Sequence, residues 1–393
     1  VKVLVSGGGI AGLTCAYWLH RHGHTPVVVE RAGFGPLGGY GIDFSGTGYD
    51  IADRMGLLDS LAARQLRAED LVYVDRSGKV TARLKRPLVE KVLRGPYLAL
   101  MHTTLEEALA EAVSGSVEIR YRHSIADVRQ SSSAVDVTFS DGQCEQFDIL
   151  VGADGVNSST RVLLFGPNAQ YARNIGYKVA CYPVSDVPDF ERVRAHYTES
   201  GRQTVVYATD VPGESVAVFL YSSRNATIPP RAERAHGLRT AYAGAGWVTE
   251  QLLDAAPAEG FFMDNLTQIR MPTWRNGRTV LIGDACGAMT LASAQGTSLA
   301  MAGGYLLACA LRDHHNDPDA AFAAYESRLR PVVTARQNRA RAFARSLVPP
   351  SRVGVATQRL ITRLMLHDSF APLLRLGFGN TASILPPLAQ ASP

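Results

Sequence analysis

The sequence predicts an α/β protein: a Rossmann-like domain built on a GxGxxG turn, an inserted antiparallel β-sheet domain, and C-terminal helices. Three observations predict it. The 393-residue chain opens with an apolar strand, a glycine turn and a helix; residues 174–269 alternate in strand period among prolines and aromatics; and after residue 278 the chain returns to a β-branched strand and an apolar helix.

At about 150 residues per domain, the length suggests two or three domains. Hydrophobic residues make up 46% and charged residues 19%, the latter below the roughly 25% of ordinary soluble domains, which argues for a large core and against disorder. Forty Lys and Arg against 36 Asp and Glu leave a net charge of +4, no electrostatic reason to expect nucleic acid. The five cysteines, Cys15, Cys144, Cys181, Cys286 and Cys309, are far apart and form no CxxC pair, so neither disulfides nor a zinc site is expected and a reducing compartment fits. No basic, apolar leader precedes the first strand. The weakly polar run 296–311 falls short of the ~20 residues of a membrane span and reads as a buried helix. Together these predict a cytoplasmic protein with no integral membrane segment.

Taken in order, residues 2–6 form a strand, GGGIAGL turns it into a helix that stops at Gly23, and 27–30 is a second strand. These make one βαβ unit, the length of a parallel crossover. Segment 32–48, AGFGPLGGYGIDFSGTG, reads as a long glycine-rich loop, and 49–64 as a helix. Residues 71–92 alternate like a hairpin turned at Ser77-Gly78, 103–113 is helical with Glu106 and Glu107 near its start, and 117–130, 134–139 and 147–152 are strands. The inserted sheet follows. Strand 279–282 leads into GDACGAM and a helix from about Gly296; 317–347 is helical until Pro349-Pro350 break it, and 353–365 is the last helix.

Gly7, Gly9 and Gly12 carry the strongest signal. They follow a strand and open a helix, with Glu30 eighteen residues beyond Gly12 at the end of the next strand. The first glycine allows the tight turn, the second admits a pyrophosphate to the helix N-terminus, the third packs helix on strand, and the acid accepts from ribose hydroxyls. This dinucleotide fingerprint does not separate NAD from FAD.

Two further segments do. Gly152-Ala153-Asp154-Gly155, with Val156, Ser158 and Arg161, resembles the GADGxxSxxR segment of flavin-dependent aromatic hydroxylases, and Leu281-Ile282-Gly283-Asp284-Ala285, followed by Gln295-Gly296, resembles their second FAD segment. The resemblance covers about residues 1–330 and is to the class A, single-component FAD monooxygenases typified by para-hydroxybenzoate hydroxylase; the loop GGYGIDFSG and the phrase RMGLL fit it. It implies an FAD-binding domain over 1–73, 95–170 and 270–330, a substrate domain over 74–94 and 171–269, and a helical extension over 331–393. It also implies FAD held by Gly7, Gly9, Ile10, Ala11, Gly12, Glu30, Arg31, His102, Asp154, Gly155, Arg161, Gly283, Asp284, Gln295 and Gly296, with NADPH or NADH visiting transiently and Asp154 and Arg161 serving both nucleotides. The activity implied is oxygenation of a small aromatic or polyketide-like substrate by O2 through a flavin 4a-hydroperoxide.

The chain departs from the family at four places. Gly287 stands where the family has His, Leu291 where it has the proline of the oxygen-reacting face, and Ser293-Ala294 where it has paired glycines. His102 stands where an arginine is common; it is either a replacement donor to the flavin chain or a histidine at a helix start. These departures keep open a flavoprotein oxidoreductase without oxygen transfer, or a flavin-binding paralogue without turnover. A halogenase is disfavoured by the lack of a WxWxIP segment, and a plain NAD-dependent dehydrogenase by the Asp154 and Asp284 segments.

No catalytic acid or base is assigned beyond the candidates Asp43 and His102. Tyr207, Phe219 and Tyr221, with Phe261 and Phe262, either line a flat substrate pocket or form sheet core. His20, His22 and His24 do not share a helix face, so no metal site is expected. Residues 274–278 read as a turn, and arginines 328, 330, 336, 339, 341 and 345 as a solvated helix face.

Overall fold

The fold is that of a computed structural model, which describes residues 1–33, 39–93, 95–185, 187, 192–290, 295–315, 317–364 and 383–385. Leu291, Ser293 and Ala294 lie outside the described residues.

The first unit is as expected: β1 (Lys2–Ser6), α1 (Ile10–Arg21) and β2 (Thr25–Glu30), with β1 and β2 parallel and Val5 opposite Val28. Beyond it, segment 32–48 is not all loop. It contains β3 (Gly41–Ser45) and the start of α2 (Thr47–Arg54); Gly56, at φ +72°, separates α2 from α3 (Leu58–Ala63), so the predicted helix 49–64 is two helices. β4 (Asp70–Val74) and β5 (Val80–Leu84) form the hairpin, but the residues after it are helical, α4 (Arg86–Leu93). β6 (Tyr97–Met101) pairs with β3, and this non-local partner is what makes a strand of a glycine-rich stretch.

α5 (His102–Val113) leads to β7 (Glu118–Tyr121), β8 (Ile125–Gln130), β9 (Val135–Phe139), β10 (Cys144–Phe147) and β11 (Ile149–Gly152). β8, β9 and β10 form a small antiparallel sheet, while β11 joins the parallel one. α6 (Ser159–Phe165) then precedes the long strand β12 (Ala172–Ser185), β13 (Val193–Glu199), β14 (Arg202–Ala208) and β15 (Glu214–Ser222). Two helices that periodicity did not predict, α7 (Arg234–Ala241) and α8 (Thr249–Asp254), interrupt the region before β16 (Phe262–Ile269). The chain closes with β17 (Arg275–Asn276), β18 (Thr279–Leu281), α9 (Asp284–Gly287), α10 (Gly296–Asp313), α11 (Pro318–Leu347) and α12 (Arg352–Leu364). No helix among the described residues is long and apolar enough to cross a membrane.

The parallel sheet runs β17-β18-β11-β1-β2-β7, so the chain leaves β1 toward β2 on one side and returns through β11 on the other. That reversal opens a crevice at the carboxyl ends of β1 and β11, where ligands of doubly wound sheets bind. α1 is buried nearly all round because α10 covers it; a Cβ at Gly304 would lie 2.6 Å from the Cys15 amide nitrogen. The second large sheet runs β16-β12-β15-β14-β13-β4-β5, antiparallel except where β13 meets β4. Strand pairing thus places Asp70–Val74 in this sheet, and α11 runs unbroken through residue 331.

Alternation along this sheet decides what each residue faces. Val205, Tyr207, Val216 and Cys181 pack in the cluster that includes Tyr97 and Ala99 of β6. Val206, Ala217, Phe219, Ala180 and Tyr182 pack on the other face with Leu238, Tyr242 and Leu252 of the α7 and α8 region.

Candidate active site

The glycine turn is determined by sterics. Gly7 has φ +114°, and its N–H donates to the Val29 carbonyl at 2.8 Å; a Cβ at Gly12 would overlap the Gly7 carbonyl oxygen. Gly9 caps α1 without a side-chain bond, leaving the first amides of the helix for a ligand. Ile10 and Ala11 are 5% and 7% exposed and point into the core, so only their backbone is available to a ligand.

A cavity of about 210 Å³ opens at this turn, lined by Ser6, Gly7, Gly9, Glu30, Arg31, Asp154 and Gly155 together with His123, Ser124 and Asn157. It joins the ends of β1, β2 and β11. The Glu30 carboxylate accepts from the Gly8 N–H at 2.8 Å and the Ala32 N–H at 2.7 Å, which orients it and leaves lone pairs for further donors. In Asp154, Oδ2 accepts from Ser159 Oγ at 3.1 Å, Thr160 N at 2.8 Å and Thr160 Oγ1 at 2.9 Å, while Oδ1 is buried with no partner. An orphaned carboxylate oxygen beside a cavity marks room for a donor.

Arg161 is placed elsewhere. It is fully buried, and its guanidinium donates to the carbonyls of Ala285 and Val156 and to Asn168 Oδ1, each at 2.6 Å. The expectation that it reaches either nucleotide does not fit this position: it ties α6 to α9. Burial lowers its pKa, with Asp154 opposing.

A second group converges at the same N-terminal end of α1, on the side of Gly9 and Ala11. His102 begins α5; its N–H donates to the Tyr40 carbonyl at 2.9 Å, its ring lies 5.3 Å from that of Tyr40, and Nδ1 is 3.5 Å from Glu106 Oε2. Glu106 in turn faces the glycine turn, since a Cβ at Gly9 would come 3.7 Å from its Oε1. Asp284 is exposed, yet the protein packed around it raises its carboxyl, with nearby His102 opposing. Gly283, Asp284 and Gly296 line one narrow cavity, and Gln295 caps the helix that Gly296 begins. Gly287 lies against α11, where a Cβ would meet Val333 Cγ1 at 2.9 Å, so this packing leaves no room for the family's histidine.

Asp43 and the aromatics are sorted by the sheet. Arg194 on β13 donates to Asp43 Oδ2 at 2.9 Å, its guanidinium lies 5.3 Å from the Tyr207 ring centroid, and the Tyr207 hydroxyl accepts from the Gly41 N–H. Burial opposes the charge of Arg194, but Asp43 more than offsets it, and burial pushes the Tyr207 hydroxyl up. Phe219 and Tyr221 leave the opposite face: Phe219 stacks on Tyr182 at 5.5 Å and Tyr221 meets Tyr242 edge-on at 5.8 Å. The aromatics that read from sequence as one pocket or as sheet core are therefore divided by strand alternation, with Phe262 on the Tyr207 side and Phe261 behind. Phe219→Leu is expected to cost about 1 kcal/mol of stability in thermal unfolding while leaving substrate KM unchanged. Tyr207→Phe, which strands the Gly41 N–H, is expected to raise KM severalfold.

Sequence reasoning missed Tyr40, Glu106 and Arg194. Glu106 was detectable as the i+4 partner of His102; Arg194 and Asp43 are 151 positions apart and left no local signal.

Residues 1–340 match the family model described as FAD binding domain. A flavin-dependent monooxygenase from an unknown prokaryotic organism is 31% identical over 348 residues, covering 86% of this chain and 87% of the relative. The crystal structure of tetracycline destructase Tet(55) superposes with a TM-score of 0.81 at 27% identity, covering 93% of this chain and 95% of that one. Klebsiella pneumoniae HpxO, crystallised with FAD and uric acid, has the same fold at a TM-score of 0.81 and 19% identity, over 96% of each chain.

Proposed function

The chain belongs to the FAD binding domain family, and from that premise we propose that it is an FAD-dependent monooxygenase that oxygenates a small aromatic or polyketide-like substrate with O2 and NADPH or NADH. The observation that carries this reading is the cavity at the β1, β2 and β11 strand ends, with its bare helix N-terminus, oriented Glu30 and orphaned Asp154 oxygen.

The residues fit the cofactor. The amides at Gly9 and the start of α1 would hold the pyrophosphate, Glu30 would accept from the ribose, Arg31 would serve the adenine end, and Asp154 Oδ1 would take a donor from the same half. His102, Glu106, Asp284, Gly283, Gln295 and Gly296 would hold the ribityl chain. When bound, FAD supplies the electron transfer from a reduced nicotinamide to dioxygen and the delivery of one oxygen atom to an electron-rich ring. The chain's own work is to bind, orient and exclude water. On the substrate side, Tyr207 is positioned by the Gly41 N–H and by Arg194, which Asp43 holds; Tyr40 and Phe262, whose rings lie 5.9 Å apart, offer flat apolar surface to an aromatic substrate. Among Asp43 and His102, neither needs to act as nucleophile; His102 Nδ1 lies 3.5 Å from Glu106 Oε2.

The test is the visible spectrum of purified protein after FAD addition and desalting, followed by oxygen-18 incorporation into product during substrate-stimulated NADPH oxidation. A colourless protein overturns FAD binding. Flavin reduction without label in the product replaces monooxygenase by dehydrogenase.

Asp284 predicts a pH dependence. Its ionised form would accept from a ribityl hydroxyl, so FAD affinity is expected to be full above its raised value and to weaken as pH falls through it. For the flavin-free protein the sign reverses: a carboxyl raised on folding favours the folded state in acid, and stability is lost as pH climbs from the ordinary carboxylate value through the raised one. Asp284→Asn is expected to flatten both profiles, read by calorimetric FAD titration and thermal unfolding across pH.

A further inference from the structure

The chain has five lysines, and Lys178, at 6% exposed, is the one that the fold buries. It stands on β12 opposite Tyr221 of β15 and Asn265 of β16. By alternation it shares the face of Ala180 and Tyr182, away from Val179 and Cys181 and from the proposed flavin side of the sheet. Its ammonium donates to the Thr227 carbonyl at 2.6 Å, and among the described residues it has no ion pair. Three donors on one nitrogen thus meet one neutral acceptor.

Lys178 lines a groove of about 680 Å³, larger than the cavity at the glycine turn. Tyr221, Met263, Pro229 and Pro230 supply its apolar walls. Arg202, also on the wall, is already held by Glu199 at 2.6 Å; Glu233 is the acidic residue of the lining and forms no ion pair with Lys178. A buried ammonium is unfavourable unless an anion or several acceptors offset its desolvation, and burial lowers the pKa of Lys178 accordingly. We propose that this groove is a second binding site, distinct from the flavin and substrate sites, for a small carboxylate with a flat apolar body, whose carboxylate pairs with Lys178 and whose body lies against Tyr221 and Met263. The loop above it is tied down by the Lys178 bond to Thr227 and by Asn265 Nδ2 to the Ala226 carbonyl at 2.6 Å.

The small lysine count makes the site readable. Full-length FAD-loaded protein carrying [ε-13C]lysine gives five side-chain signals, and Lys178→Arg identifies that of Lys178. On titration with benzoate, the Lys178 signal is expected to shift saturably while the others and the flavin visible band stay in place. Lys178→Met is expected to weaken benzoate binding at least about tenfold by calorimetry, and Lys178→Arg to retain it within about threefold. Tyr221→Ala, expected to weaken it severalfold, serves if Lys178→Met does not fold by circular dichroism. An unmoved Lys178 signal up to the solubility of benzoate overturns the site. So does binding that survives Lys178→Met and moves the flavin band, which would place benzoate at the flavin. Acetate binding as tightly as benzoate overturns the flat apolar body.

Discussion

Gly9→Val is expected to give a folded protein that retains no FAD. The backbone at Gly9 is extended, φ −83° and ψ −171°, which any residue adopts, and the nearest atom to an added Cβ is Glu106 Oε1 at 3.7 Å. The added Cβ therefore makes only ordinary van der Waals contact, and the side chain extends into the space in front of the first α1 amides. If the pyrophosphate lies there, affinity falls at least about 100-fold, close to 2.7 kcal/mol, with the flavin-free thermal midpoint unchanged within about 2 °C. Gly12→Ala has the opposite signature. Its methyl would overlap the Gly7 carbonyl, backbone against backbone, so the loss is of stability, about 1–3 kcal/mol or more. Absorbance after desalting and the apo melting curve separate the two variants, and a Gly9→Val protein that stays yellow would remove the pyrophosphate from this turn.

That contrast shows what was legible. The βαβ unit could be read because each of its signals is local: a β-branched strand, glycines at fixed offsets, an acid at the next strand end. The order of the parallel sheet then follows from the crossover rule and puts Asp154 beside Gly7. What failed to show depends on partners far along the chain. β3 is a strand because β6 lies against it, Arg194 is charged and fixed because Asp43 is 151 positions away, and Phe219 is core because α7 and α8 cover its face. Residue type told that Tyr207 and Phe219 are sheet aromatics; only strand alternation told that they look in opposite directions.

Arg161 presents the same lesson in energetic form, because an arginine inside a family motif invites a ligand role. Arg161→Met is expected to destabilise the protein by roughly 4 kcal/mol, lowering the thermal midpoint by several degrees, with FAD affinity and the KM for NADPH unchanged below that midpoint. The guanidinium serves Ala285, Val156 and Asn168 at once, and removing it leaves buried acceptors unpaired in three separate segments. Arg161→Lys is expected to recover less than half of the loss, since one ammonium on a flexible stem cannot span acceptors that a planar fork reaches together. The outcome that would restore the ligand role is a wild-type midpoint in both variants with a tenfold rise in KM for NADPH. The structural role also accounts for the neighbouring carboxylate: Asp154 spends Oδ2 on capping α6, whose first turn Arg161 locks to α9, so the rigidity of that turn holds the orphaned Oδ1 at the cavity wall. Any loosening of α6 in Arg161→Met is expected to appear as faster hydrogen exchange at the Thr160 amide.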